Sequence, residues 1–200
     1  MRNDLDSWRV YTSSDDILNF IVYIGCAYGL IDNNKYNGKE ILWPHKSLSI
    51  DANSDNWEEW FLAIINLEVE RIKLGKHPCT IIEEYMPPEF FNVKNQLLKE
   101  CCKDAWPKFK EWWYMVAGGK NALNFIEGIL NNNLNNYVNE VERRKSRKLK
   151  PFQLYINLLY TGLSKTIDIN FNNNHNIIIT SNPFGYFNED WWIKKLSEIG

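Results

Sequence analysis

Over the first two-thirds of the chain apolar residues recur at helical spacing, and near residue 150 their period shortens to two. The run 17–31 is apolar apart from Asn19 and small residues. Asp15 and Asp16 at its head suit the positive end of a helix and Gly29 suits a stop, so a central helix over about 15–28 is predicted. Residues 41–43 read as a brief edge strand closed by Pro44. Trp57, Trp60, Phe61, Ile64, Ile65 and Ile72 then trace one face of a helix capped by Ser54 or Asp55 and ended by Gly75, with Glu68 inside the apolar stripe.

Residues 80–84 fit strand or helix, and Met86-Pro87-Pro88 is a break. Val93, Leu97, Leu98 and Cys101 give a helix over 89–103. Asp104 as a cap, with Pro107 in the first turn, predicts a separate helix through Phe109, Trp112, Trp113 and Val116, closed by Gly118-Gly119. Leu123, Ile126, Ile129 and Leu130 predict the next. Asn favours caps and turns, so the Asn-rich stretch 131–136 predicts a corner before Leu134, Tyr137, Val138 and Val141 carry a helix to about 147.

Phe152, Leu154, Ile156, Leu158 and Tyr160 alternate with Gln153 and Asn157, Ile167, Ile169 and Phe171 repeat the pattern, and 176–180 returns after an Asn-Asn-Asn-His corner. Three strands in a row predict an antiparallel meander over 151–181. Asn188 caps a last helix over 188–199. The expected fold is one α+β domain over 1–200: a helical part of six or so helices, about 13–147, packed on the meander, then the C-terminal helix.

Composition adds two points. The chain has 200 residues, 44% hydrophobic and 24% charged, enough for a sizeable core, and its nine Trp, ten Tyr and ten Phe exceed what a core needs if Leu, Ile and Val can fill it. Some aromatics are therefore expected outside. The net charge of −2 divides into −6 for residues 1–100 and +4 for 101–200, which either makes a dipolar surface that steers a partner or is spread over solvated surface. An Asn, Lys and Ile bias also fits an AT-rich genome, which carries no chemistry.

Candidate chemistry is sparse. Cys26, Cys79, Cys101 and Cys102 lack zinc or redox spacing and read as reduced thiols. His45, His77 and His175 each sit beside a turn, so no metal site and no cofactor are expected. No nucleophile elbow, P-loop or dinucleotide fingerprint occurs. Gly118-Gly119-Lys120 reads as a helix stop followed by a surface lysine. Adjacent acids such as Asp15-Asp16 and Glu189-Asp190 favour helix N-termini, whereas Glu68 inside an apolar stripe must be paired, exposed or functional. The basic run 143–150 suits a helix C-terminus and also phosphate contact. The N-terminus lacks signal-peptide character and the run 17–31 is too short for a bilayer core of ~30 Å, so a cytoplasmic protein without a membrane partner is expected.

The tryptophans are the most informative group. Two adjacent indoles on one helix diverge by about 100°, so one each of Trp112-Trp113 and Trp191-Trp192 should reach the rim. The leading expectation is a non-catalytic protein-binding protein, of the type of a small bacterial immunity or inhibitor protein. Its patch would draw on Trp112, Trp113, Trp191 and Trp192, with Tyr186 and Phe187 from the turn before the last helix. An indole that packs in a thick core and turns only its N–H to water explains the same residues. The alternative is a small hydrolase-like enzyme using Glu68, Glu83, Glu84 and His77, and a weaker third reading is nucleic-acid binding through 143–150.

Overall fold

A computed structural model describes residues 7–31, 54–75, 87, 89–91, 93–160, 163, 165–171, 175–180 and 188–200. In chain order these form β1 (Arg9–Ser13), α1 (Asp16–Ala27), α2 (Ser54–Lys73), α3 (Gln96–Tyr114), α4 (Gly119–Lys145), β2 (Gln153–Leu158), β3 (Ile167–Asn170), β4 (His175–Thr180) and α5 (Glu189–Ile199). The fold is α+β and mostly helical. The strand at 41–43, the segment 80–84 and the turn 182–187 lie outside the described residues.

The expected meander is corrected. The strands lie in the order β1-β2-β4-β3, with β1, β2 and β4 parallel and β3 antiparallel to β4. β4 thus inserts between β2 and β3. The physical reason lies in burial: residues 154–158 and 176–180 are buried without alternation, as strands covered on both faces require. β1 went unpredicted because Arg-Val-Tyr-Thr-Ser carries little apolar signal, and it is an edge strand of intermediate exposure.

Register assigns the faces. Tyr11 pairs with Tyr155, their rings stack 5.0 Å apart, and Asn157 on the same face meets Glu68 of α2. On the opposite face Thr12 meets Glu127 and Asn131 of α4, and Asp168 pairs with Lys195 of α5. α5 runs beside the second half of α4 and ends with it, Lys145 Nζ donating to Ser197 O at 2.7 Å.

Two predicted breaks do not occur. α3 passes through Asp104 and Pro107, because Leu98, Cys102, Ala105, Phe109 and Trp113 form one unbroken buried stripe while Pro107 faces solvent. α4 passes through the Asn-rich stretch, because Leu130, Leu134, Tyr137, Val138 and Val141 bury one face and packing outweighs propensity. The aromatics serve the core more than composition suggested. Phe20 of α1 lies 5.0 Å from Trp106, 5.1 Å from Phe109 and 5.5 Å from Phe90, and Trp57 is fully buried.

α1 and α2 touch at Gly25, where an added Cβ would lie 2.7 Å from Trp57 Nε1 and 2.6 Å from Ile31 Cγ1. The indole is fixed there by donating to Ile21 O at 2.8 Å. Gly25→Ala gains helix propensity of about 1 kcal/mol but overpacks this contact at a cost of about 1–3 kcal/mol. The variant is expected to be less stable than wild type in urea titration, and a more stable variant would refute the close contact.

Candidate functional site

Two polar clusters meet at the C-terminal ends of β1 and β2, the edge of parallel strands where ligands commonly bind. In the first, Ser13 Oγ lies 2.6 Å from Asn157 Oδ1, and Asn157 Nδ2 donates to Glu68 Oε1 at 2.8 Å. Glu68 is 8% exposed, and its Oε2 is closed to solvent and has no hydrogen-bond partner among the described residues. Burial pushes its carboxyl up to about 7, helped by the nearby Asp15 charge and opposed by the Asn157 bond and Arg71. Asp15 caps α1 by accepting from Leu18 N at 2.7 Å, and burial raises its pKa as well. Asn19 closes the cluster, Nδ2 donating to Leu158 O at 3.0 Å and Oδ1 accepting from Tyr160 N at 2.8 Å. Such an arrangement favours the protonated form of the acid.

The second cluster gathers on Asp16. Trp113 Nε1 donates to it at 3.0 Å, Lys120 Nζ at 2.9 Å, and the Tyr114 hydroxyl also donates. Burial alone would raise this carboxyl, yet the bonds from Tyr114, Lys120 and Trp113 together hold it below its ordinary value. Lys120 also donates to Ser14 O at 2.6 Å, so it is a brace and not the free surface lysine expected. The end of α3 and the start of α4 are thereby pinned against α1.

This brace fixes an apolar corner. Gly118 N donates to Met115 O at 2.8 Å, and Asn121 Nδ2 reaches both Met115 O and Val116 O at 3.2 Å. A Cβ at Gly118 would sit 2.1 Å from Trp112 O, so the chain closes here only over glycine. Val116 is 93% exposed, and Tyr114 and Met115 are about half exposed. Tyr160 is also exposed and meets half-buried Trp112 edge-on at 5.0 Å.

The residues expected to bind a partner are divided. Trp113 and Trp192 are fully buried and are corrected to core, because the turn between adjacent helical residues sends one indole of each pair inward. Trp112 and Trp191 are half-buried, but they do not share a patch. Trp112 packs on Gly119 at the start of α4, whereas Trp191 lies in the first turn of α5, beside the second half of α4. Tyr186 and Phe187 lie outside the described residues, as do His45, His77, Cys79, Glu83 and Glu84. The exposed corner was missed because Val116 fits the spacing of the α3 stripe, and only the end of α3 at Tyr114 turns it outward.

In the basic run Arg143 and Arg144 pair with Glu140, Lys148 pairs with Glu142, and Lys145 and Arg147 donate to carbonyls at the end of α5. His175 is half-buried, with its pKa lowered by burial. Among the described residues no group of three His, Cys, Asp or Glu could hold a metal, and Cys26, Cys101 and Cys102 are buried. A cavity of about 140 Å³ between α2 and the start of α3, lined by Asn56, Trp60, Ala63, Val93 and Leu98, falls below the ~300 Å³ of ordinary ligand pockets. No described helix is long and apolar enough to cross a membrane. Comparison with protein-family models, curated proteins and solved structures finds no match.

Glu68 sets a testable pH dependence. Its carboxyl titrates near 7 in the fold against 4.5 for the ordinary group, so the folded state holds the proton more tightly. Its contribution is fully favourable below about pH 4.5 and is lost as pH rises to about 7, a change of up to about 3 kcal/mol. Glu68→Gln is therefore expected to match wild type near pH 4.5 and to exceed it near pH 8 in denaturant titrations. Parallel profiles for the two proteins would refute the buried, proton-holding carboxyl.

Proposed function

We propose that the chain is a non-catalytic binding protein that acts by direct contact with another protein, in the manner of a small immunity or inhibitor protein in the cytoplasm. The contact surface is the α3–α4 corner, with Met115 and Val116 at its tip and Tyr114, Trp112 and Tyr160 beside it. One observation carries the reading: consecutive apolar residues stand in solvent on a loop held rigid by Asp16, Lys120 and Asn121. Apolar surface that is exposed singly needs no explanation, but a cluster on a braced loop does. A preorganised corner loses little entropy on docking, and aromatic and methionine side chains are the residues that interface cores favour.

The enzyme reading has less support. Glu68, the acid it relied on, has its second oxygen closed to solvent and, among the described residues, a side-chain hydrogen bond from Asn157 alone. Nucleic-acid binding is weakened because five cations of the basic run already serve Glu140, Glu142 and the α5 carbonyls. The buried thiols of Cys26, Cys101 and Cys102 fit a reducing compartment.

The test is capture of a partner from the native host by immobilised wild type, followed by calorimetric titration of that partner. Val116→Asp is expected to weaken affinity by about 2 kcal/mol, roughly thirtyfold, with the thermal midpoint nearly unchanged. Trp191→Ala serves as the comparison at the other end of α4. If Trp191→Ala abolishes binding while Val116→Asp binds like wild type, the contact surface lies at α5 and the corner is excluded.

A further inference from the structure

Beyond the corner, α4 presents an unusual face. From 121 to 139 its exposed residues are seven asparagines, Phe125 and Gly128, with no exposed charge. The one charged residue of the stretch, Glu127, is turned to the protein, 3.2 Å from Thr12 Oγ1, and Lys120 just before it is held by Asp16. A general surplus of Asn and Lys does not account for this, because α3 exposes Lys103, Lys108 and Lys110, and charge resumes on α4 itself at Arg143 and Arg144.

The spacing is equally specific. Asn121, Phe125, Gly128, Asn132, Asn135 and Asn139 follow one another at steps of four, three, four, three and four, the repeat of a helix-pairing seam. The seam is about 27 Å long at 1.5 Å per residue. Gly128 weakens a helix interior, yet a Cβ there would meet nothing within 4 Å, so this chain's own packing does not require it. What it provides is a notch in which a second helix can approach closely.

We propose that the exposed seam of α4 docks antiparallel on the same seam of a second copy of this chain. Three observations select a copy of itself as the occupant. A seam made for an acidic or basic partner would carry the opposite charge, whereas an uncharged one does not repel its own duplicate. Each carboxamide offers both a donor and an acceptor, so Asn121 of one copy and Asn139 of the other can satisfy one another at both ends of a two-fold seam. Antiparallel pairing about the midpoint of the seam sets Asn121 against Asn139, Phe125 against Asn135 and Gly128 against Asn132 of the second copy, so that an Asn side chain fills each notch. A parallel pair would instead bring the exposed Arg143, Arg144 and Arg147 of both copies side by side. One helix pair buries less than the ~800 Å² per partner of a standard interface, so the dimer is in the micromolar range.

Sedimentation equilibrium over about 1–300 μM tests this. Wild type is expected to move from the mass of one 23.7 kDa chain toward twice that value with rising concentration. Phe125→Lys and Asn132→Lys should each raise the dissociation constant at least tenfold. Lysine is the better helix former at the second position, so an unchanged circular dichroism spectrum and thermal midpoint separate lost docking from lost folding. An equimolar mixture of Gly128→Asp and Asn132→Lys is expected to regain the dimer mass that each lacks alone, since the pairing sets the two new charges opposite one another. Single-chain mass throughout, a dimer indifferent to both lysines, or a mixture that stays monomeric would overturn the proposal.

Discussion

Parallel pairing of β1, β2 and β4 is the constraint on which the rest of the structure depends. Parallel neighbours must be joined by crossings from one end of the sheet to the other: between β1 and β2 the crossing runs through α1–α4, which supply helices to both faces, whereas the chain returns from β2 to β4 through the antiparallel β3. The strands therefore finish at one edge, and there α1 starts immediately after β1. The start of α4 is tied to the same edge through the bond from Lys120 to Ser14 O. Two helix N-termini meeting at one place create a positive local field, and Asp15 and Asp16 answer it. Asp15 caps its own helix, whereas Asp16 reaches across to α3 and α4. The position of the exposed corner is thus a consequence of strand direction.

The trio Ser13, Asn157 and Glu68, of which the last two are buried, has a structural rationale of its own. It joins β1, β2 and α2 through two hydrogen bonds at the C-terminal ends of the two strands. A one-residue slip of β2 would move Asn157 to the α4 face, away from Glu68, and leave both polar groups unpaired. Apolar residues at both positions could cost little stability, because pairs of this kind rarely stabilise beyond a well-packed substitute. Both bonds are made in the observed register and forfeited by a slip. The acid is tolerated because in its neutral form it loses far less hydration than a buried carboxylate would.

How much of this was legible depended on whether local signals and packing agreed. α1, α2 and α5 were readable because caps, stripes and stops coincided, as at Asp15, Asn188 and Gly75. The positions of β2 and β3 were readable from period two, whereas β1 was missed and the strand order was not encoded, since alternation does not say which strand lies beside which. The one clue was the run Ile177-Ile178-Ile179, too continuous for a strand with a solvated face. Asp104, Pro107 and the asparagines of α4 misled because each is a genuine local stop signal outweighed by burial of the opposite helix face. At the candidate site Glu68 stood out as a polar break in a stripe, and half of each Trp pair was correctly expected at the rim. The Asp16 brace had no sequence signature: Tyr114 and Lys120 lie about a hundred positions away in the chain.

The exposed face of α4 remains unexplained by the stability of α4 alone. The buried face, the Arg143, Arg144 and Lys145 side chains at the negative end and the left-handed cap at Ser146 are sufficient to set the helix and its limits. On the outward positions Lys, Glu, Gln or Ala would each favour the helix over Asn, by up to about 0.7 kcal/mol per residue, and ion pairs at four-residue spacing would add to that. The chain uses such pairs elsewhere on its helices, between Lys108 and Asp104 and between Arg144 and Glu140. Their absence from the outward side of 121–139 is therefore a departure from the chain's own habit. A surface that forgoes both helix propensity and charge is suited to being covered, because uncharged amides can exchange water for other amides while charged groups lose hydration that a flat contact seldom restores.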